Sequence, residues 1–329
     1  LRVRYRLAGL GSDGIDALVG AEARGQRLLV RAAALDVPDE DVPPAPRPSP
    51  RPPAAARPKE LSVTQIEALV RDPYEIYARK VLGLRPLDPL GRVADPMARG
   101  TAMHAIMDGF VTATDAGLPS DAEAILADVA AQTLAQTAPW PAVREIWTAR
   151  IARAAPWICR TEADRRTRGH PLAREVRGRW EVYGLPLPFA VTARADRIDA
   201  MHGGGYAIYD YKSGGVVSDK EARAFHLQLP LEALILAEGG FEGLPPGIAE
   251  HLELIGLGRQ ALRSVDATPQ RIAEVRTRLA RLITHYQSPE AGFTARLRPQ
   301  RLHENGDYDH LSRLGEWAES DPPGGSRGA

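Results

Sequence analysis

The stretch Ala195–Gly214 (ADRIDAMHGGGYAIYDYKSG) constrains this chain more than any other. Apolar and β-branched residues run up to Asp199, Gly203–Gly205 supplies a turn, and Tyr206–Tyr211 reads as a return strand, so the segment is a β-hairpin. A turn centred on Gly203 sets Asp196 opposite Asp210. Like charges directly opposed in a sheet are destabilising, and a buried carboxylate pair is costly unless something positive neutralises it. A divalent cation would do so. Lys212 lies two residues beyond Asp210 and projects from the same strand face. Two aspartates and a lysine converging on one face suit a metal site for phosphodiester hydrolysis.

The 329 residues are enough for one large domain or two smaller ones. No apolar run approaches membrane-spanning length, and Leu1–Arg31 carries too many arginines for a signal peptide. A single cysteine, Cys159, excludes an internal disulfide framework and any cysteine-only metal cluster. These features point to a cytoplasmic location without membrane contact. The formal net charge is zero, yet residues 144–179 hold ten arginines against four acids and residues 258–301 nine against three. Each segment is an electrostatic footprint for nucleic acid if its side chains share a face, and ordinary solvated surface if they do not.

Nine prolines between residues 38 and 58 rule out helix or central strand there and predict an extended linker. Residues 1–37 ahead of it read as the tail of an upstream domain. Beyond it, Ser62 and Gln65 have capping-box spacing, with Ile66, Leu69 and Val70 forming an apolar helix face. Further helices are expected at about 73–82, 98–115, 121–136 and 141–166. Alternation over Leu172–Trp180 and Leu187–Asp199 predicts strands ahead of the hairpin partner. A helix opened by Ser218 and Glu221 and running to Ala237, a strand over 250–257, and a helix from Thr268-Pro269 to Tyr286 complete the order. This is a mixed α/β sheet flanked by helices, with a helical subdomain on its N-terminal side. Residues 318–329 are rich in proline, glycine and serine and are expected to be disordered.

The spacing D-x(13)-D-x-K of Asp196, Asp210 and Lys212 resembles the core of the PD-(D/E)xK nuclease superfamily, which implies a restriction-endonuclease-like fold. His104, in RGTAMHAIM, matches a histidine that the RecB-like branch uses as a further metal ligand. Gln228, in HLQLPLEALIL, matches the glutamine of that branch's Q-x-x-x-Y element, but Glu232 stands where the tyrosine would be and is also readable as a solvent-facing helix residue. Glu175 sits where these nucleases often carry another acid, and is equally readable as a strand surface charge. The blocks at 61–84, around His104, at Asp210–Gly214 and at 306–311 resemble, in order, the C-terminal nuclease domain of the AddB family. On that resemblance residues 59–317 are the nuclease domain. It would be a DNA exonuclease in the helicase–nuclease that processes double-strand breaks, acting on an unwound single strand beside its AddA partner. The alternative is a catalytically silent scaffold that holds DNA or AddA.

The resemblance implies Mg²⁺ or Mn²⁺ held by His104, Asp196, Asp210 and the Tyr211 carbonyl, with Lys212 and Gln228 beside it. Related domains carry a four-cysteine iron–sulfur cluster whose first ligand precedes a Pro-Tyr pair. Here Asp72 precedes Pro73 and Tyr74, so no such cluster is expected, and Tyr74, Ile76, Tyr77, Val81 and Leu84 are expected to close the fold by packing. The chain has no G-x-x-x-x-G-K-[ST] phosphate loop, so nothing points to ATP hydrolysis.

Overall fold

The computed structural model describes residues 9, 11–37, 43–87, 90–91, 93–216, 227–298 and 306–324. The chain divides into two compact units, Leu1–Ala45 and Pro46–Ala329. The first contains α1 (Ser12–Leu35), a helix that the tail reading did not foresee and in which Ile15 is the buried residue. The second holds the sheet. Among the described residues no helix is long and apolar enough to cross a membrane.

The second unit begins with β1 (Glu60–Ser62), which leads directly into α2 (Val63–Arg71). The expected capping box forms: Gln65 N–H donates to Ser62 Oγ at 3.2 Å, and Ser62 N–H donates to Gln65 Oε1 at 3.0 Å. A short helix α3 (Pro73–Ile76) passes into a π-turn at Tyr77–Val81. Three helices follow: α4 (Pro96–Ala113), α5 (Ala122–Thr137) and α6 (Pro141–Arg166). The strands are β2 (Gly169–Glu181), β3 (Ala190–Met201), β4 (Tyr206–Lys212), β5 (Ala249–Gly256) and β6 (Ala261–Val265). Helix α7 (Gln228–Ala237) lies between β4 and β5, and α8 (Pro269–Gln287) follows β6. The capping box expected at Ser218 falls outside the described residues. β1 and β6 were not expected; at three and five residues they are too short to show an alternation.

The sheet is mixed, with β2–β3, β3–β4 and β5–β6 antiparallel and β1–β3 and β4–β5 parallel. One core cluster joins α2, α7 and α8 to one face. A second joins the helical subdomain α4–α6 to the other through Ala207, Tyr209, Tyr211, Ile255 and Leu257. Helix α8 shows why its sequence docks: Val275, Leu279, Ile283 and Tyr286 recur every three or four residues and are all buried.

A charged cluster holds the helical layer on the sheet. Arg197 of β3 is fully buried and donates to both Asp199 oxygens at 2.6 and 2.7 Å and to Glu162 of α6 at 2.7 Å. Arg165 and Arg166 of α6 also reach Glu162, at 3.2 and 2.7 Å, and Arg166 donates to Thr114 Oγ1 at the end of α4. The network therefore fixes α6 to the sheet and α4 to α6.

The described part of the proline-rich segment, residues 43–58, is without α-helix or strand apart from one 3-10 turn at Ala54–Ala56, and from Pro46 it is strapped along the second unit. Phe293 and Ala295 donate their N–H groups to the carbonyls of Pro50 and Pro48. Buried Arg47 donates to the carbonyls of Ala295, Arg296, Glu319 and Asp321, and buried Arg57 to those of Pro52, Tyr286, Pro289 and Ala291. Prolines lack N–H groups, so this strap cannot donate along its whole length, and two guanidiniums make the tie instead. Residues 318–324, placed by composition in a disordered tail, pack here too, with Gly324 N–H donating to Arg47 O at 2.8 Å. Residues 325–329 lie outside the described region.

The closure between 61–84 and 306–311 forms by packing. Tyr74, Ala78, Ala295, Tyr308 and Trp317 make one cluster, Tyr308 Oη donates to Leu84 O at 2.9 Å, and Arg296 pairs with Asp309 at 3.0 Å. Asp72 is buried and accepts the Arg296 N–H at 3.0 Å. Leu84 contributes its carbonyl, while its side chain stays exposed; Ile76 belongs to the main core.

Burial opposes ionisation of Glu162, but Arg197, Arg165 and Arg166 outweigh it and hold the carboxyl down at about 2. Its stabilising contribution is complete above the ordinary value of 4.5 and is lost as pH falls from there through about 2. Glu162→Gln should cost on the order of 3–5 kcal/mol at pH 7, read by urea unfolding. The gap to the parent should narrow at pH 3; an unchanged gap would show that the ionised carboxylate is not what stabilises.

Candidate active site

The site forms where β3 changes neighbours. β2 occupies one edge of β3 throughout. The opposite edge pairs with β4 over Arg197–Ala200 and with β1 over Ala190–Thr192. Asp196 sits at the break between these two partners. The hairpin register is the expected one, Arg197 opposite Tyr209 and Ala200 opposite Tyr206, and its paired part ends at Arg197 and Tyr209, one residue short of Asp196 and Asp210. The turn needs φ of +93° and +74° at Gly204 and Gly205, which explains the glycines. Past Tyr209 the ladder stops, and the Asp196 carboxylate itself accepts the Tyr211 N–H at 2.8 Å.

A second irregularity brings in Glu175. The register of β2 on β3 shifts by one residue between Pro171 and Ala173. Without the extra residue Glu175 would oppose Ala195; with it, the register sets Glu175 against Asp196. Glu175 also takes a left-handed φ of +48°, a strained conformation for a non-glycine residue. Its carboxylate pairs with Arg194 at 2.8 Å. Burial, then Asp196, raises its pKa, against the pull of Arg194.

Helix α4 supplies the histidine. Asp95 caps it by accepting the Ala98 N–H at 2.7 Å, and Pro96 occupies its first turn. His104 Nδ1 lies 3.2 Å from Asp196 Oδ1. Burial alone would lower the His104 pKa, but the hydrogen bond and charge of Asp196 outweigh it, with Asp210 and Glu175 adding to the rise. One ligand atom each from His104, Glu175 and Asp196 lie within 4.8 Å of one another. Two carboxylate oxygens and an imidazole nitrogen, amid more negative than positive charge, fit a hard divalent cation.

Across from Asp196, Asp210 is almost fully buried. Lys212 Nζ lies 2.7 Å from its Oδ2, and Gln228 Nε2 donates to its Oδ1 at 2.9 Å. Burial pushes its pKa up to about 6, with Asp196 adding to the rise and Lys212 opposing it. Burial would lower the Lys212 pKa, but Asp210 raises it above the ordinary lysine value, so Lys212 is a cation and not a base at neutral pH. The Gln228 amide is held on three sides: Nε2 donates also to Glu232 Oε1 at 3.1 Å, and Oε1 accepts from Lys212 at 3.3 Å. Asp210 Oδ1 thus accepts from Gln228, whereas buried Oδ2 has Lys212 as an ion-pair neighbour but accepts no hydrogen bond, and the mutually close donor group is His104–Glu175–Asp196.

Glu232 corrects the solvent-facing alternative that its helical position allowed: it is fully buried behind Gln228. Burial first, then Asp210, raises its pKa well above the ordinary carboxylate value and so favours the neutral acid. Sequence reasoning missed Glu67. From α2 it accepts the N–H groups of Leu227 and Gln228 at 2.7 and 3.1 Å, capping α7 and setting the residue that grips Asp210. No local motif marks it, because its partners lie 160 residues away.

Residues 60–298 match the PD-(D/E)XK nuclease superfamily, and the chain belongs to that superfamily. It is similar to an uncharacterized protein of Rickettsia typhi, 27% identical over 189 residues, which is 56% of this chain and 22% of that protein. An uncharacterized protein of Rickettsia conorii is 26% identical over 189 residues, 56% of this chain and 23% of its own length. The chain thus spans less than a quarter of the length of these relatives.

Because folding raises the Glu232 pKa, its stability contribution is complete below the ordinary value of 4.5 and is lost as pH rises above it toward the raised folded value. Glu232→Gln replaces the acid with an isosteric neutral acceptor for Gln228. In EDTA it should raise the melting temperature more at pH 8 than at pH 5, by scanning fluorimetry. An equal shift at both would show that Glu232 is not a buried acid.

Proposed function

We propose that this member of the PD-(D/E)XK superfamily is a metal-dependent DNA exonuclease domain. In this reading it hydrolyses phosphodiester bonds of an unwound single strand within a double-strand-break repair helicase–nuclease of the AddAB type, paired with the AddA subunit. The observation that carries the nuclease reading is the handover on β3: Asp196 lies there beside His104 at 3.2 Å and at the end of the hairpin whose return strand bears the Asp210–Lys212 pair, so that three separate parts of the sequence meet. The ordered blocks resembling AddB support the finer assignment.

His104, Glu175 and Asp196 would hold Mg²⁺ or Mn²⁺, with Asp210 and the Tyr211 carbonyl as further oxygens. Such a cation, when bound, neutralises charge on the phosphate and lowers the pKa of water. Lys212, kept charged by Asp210, stabilises negative charge developing on the phosphate. Gln228 holds the Asp210 carboxylate in place, and Glu67 and Glu232 hold Gln228. The buried Arg197–Glu162 network behind β3 keeps α4, and so His104, at its distance from Asp196.

Asp210→Asn keeps an acceptor for Gln228 and removes the charge facing Asp196, so it should fold. It should cut Mg²⁺-dependent degradation of end-labelled single-stranded DNA by at least ~100-fold, as should Lys212→Ala, in line with the loss of an electrostatic catalytic group. Linear DNA should be degraded and a circular single strand of the same sequence spared. Parental rates in Asp210→Asn would overturn the catalytic assignment. Rapid cleavage of the circle would overturn the exonuclease reading alone, and a wild type that binds DNA but cleaves nothing in Mg²⁺ or Mn²⁺ would favour the scaffold.

A further inference from the structure

The two arginine-rich segments of the sequence meet in space. Beside the end of β4 lies a cavity of about 440 Å³ lined by Arg99 and Met103 of α4, Trp147, Arg150 and Arg153 of α6, the Ser213–Gly215 turn, and Arg259 after β5. Its volume falls in the range of roughly 300–1,000 Å³ typical of ligand sites. Arg150 and Arg153 come from the first basic segment and Arg259 from the second.

These arginines are not spent on the fold. Arg150, Arg153 and Arg259 are exposed, and Arg99 is half-buried with an Nε that meets no acceptor. Among the described residues none of the four has an ion pair or side-chain hydrogen bond, whereas Arg165, Arg166, Arg174 and Arg197, from the same region, are all paired. Four unneutralised guanidiniums around one concavity repel one another unless an anion joins them.

The floor ties this cavity to the active site. Gly258 N–H donates to Gly214 O and Leu257 N–H to Lys212 O, both at 2.9 Å, so the turn after Lys212 is bonded to the turn carrying Arg259. A Cβ on Gly258 would come 2.7 Å from the Ser213 carbonyl, so only glycine permits this approach. On the other wall Met103 is the chain neighbour of His104. The cavity therefore shares two elements with the site, α4 and the end of β4.

We propose that this cavity is a subsite for the backbone phosphates of the single-stranded DNA flanking the scissile bond, with Arg150, Arg153 and Arg259 as the phosphate contacts and Arg99 at the inner end. Planar guanidinium donors match phosphate oxygens in pairs. The shared elements put the contacts along the path of a strand leaving Lys212. This subsite rests on the nuclease reading above.

The test uses the whole chain with Arg150→Ala/Arg153→Ala/Arg259→Ala, and Arg278→Ala/Arg281→Ala as a control on the separate cavity beside α8. Affinity for a fluorescein-labelled oligo-dT is measured by anisotropy in EDTA over a salt series. Removing three phosphate contacts should lower the slope of log K against log salt by about 2, at ~0.7 per contact on single strands, with the circular dichroism spectrum unchanged. The control should keep the parental slope. A triple variant with the parental slope, or a control that loses as much, would overturn the subsite. Because binding is read without metal, a catalytically silent chain would still decide the subsite and would fail only the nuclease reading.

Discussion

Repulsion between carboxylates held close together is the constraint around which this structure is arranged. Asp196 and Asp210 lie just past the paired end of one hairpin, and a shifted strand register turns Glu175 toward the same place. Such a grouping persists only if surrounding structure over-determines it. Lys212, Arg194 and His104 supply positive or proton-bearing partners, and Gln228 supplies an N–H donor. Behind them the Arg197–Glu162–Asp199 cluster keeps the strand from relaxing, because any shift of β3 would unpair groups that have no access to water.

The site is also asymmetric. Asp196 lies toward His104 and Glu175, whereas Asp210 is wrapped by a lysine and by Gln228, whose backbone N–H Glu67 accepts and whose side-chain amide donates to Glu232. The two aspartates look equivalent in sequence but have different surroundings. One is open to a cation on its own side; the other is pre-organised with its cationic neighbour. Arrangement of this kind lets fixed charges act on a phosphate without reorganising at the moment of reaction.

The hairpin was legible because its signal is local: a glycine turn fixes register, and register fixes which acids meet. The α8 stripe and the Ser62 cap were legible for the same reason. Glu67, the placement of Glu232 and the meeting of Arg150 with Arg259 were not, since each depends on elements far apart in sequence. The role of Glu175 was out of reach for a different reason. Whether it faces solvent or Asp196 turns on one extra residue near Leu172, and no turn chemistry announces that bulge. Proline content likewise reported a backbone without α-helix or strand at 46–58, though not its 3-10 turn at Ala54–Ala56, nor whether that backbone would dock, which Arg47 and Arg57 decide.

That strap bears on how the unit is delimited. The region recognisable by family resemblance starts at residue 60 and stops at 298. The carbonyls gripped by Arg47 and Arg57, the Trp317 indole and the Asp309 carboxylate that pairs with Arg296 straddle or lie beyond those limits. A boundary drawn where similarity fades would cut through a ring of contacts that begins before the first strand and ends after the last helix. Similarity marks the part of the polypeptide tied to chemistry. The physical unit is larger, closed at its margins by residues that bind the two ends of the domain to each other.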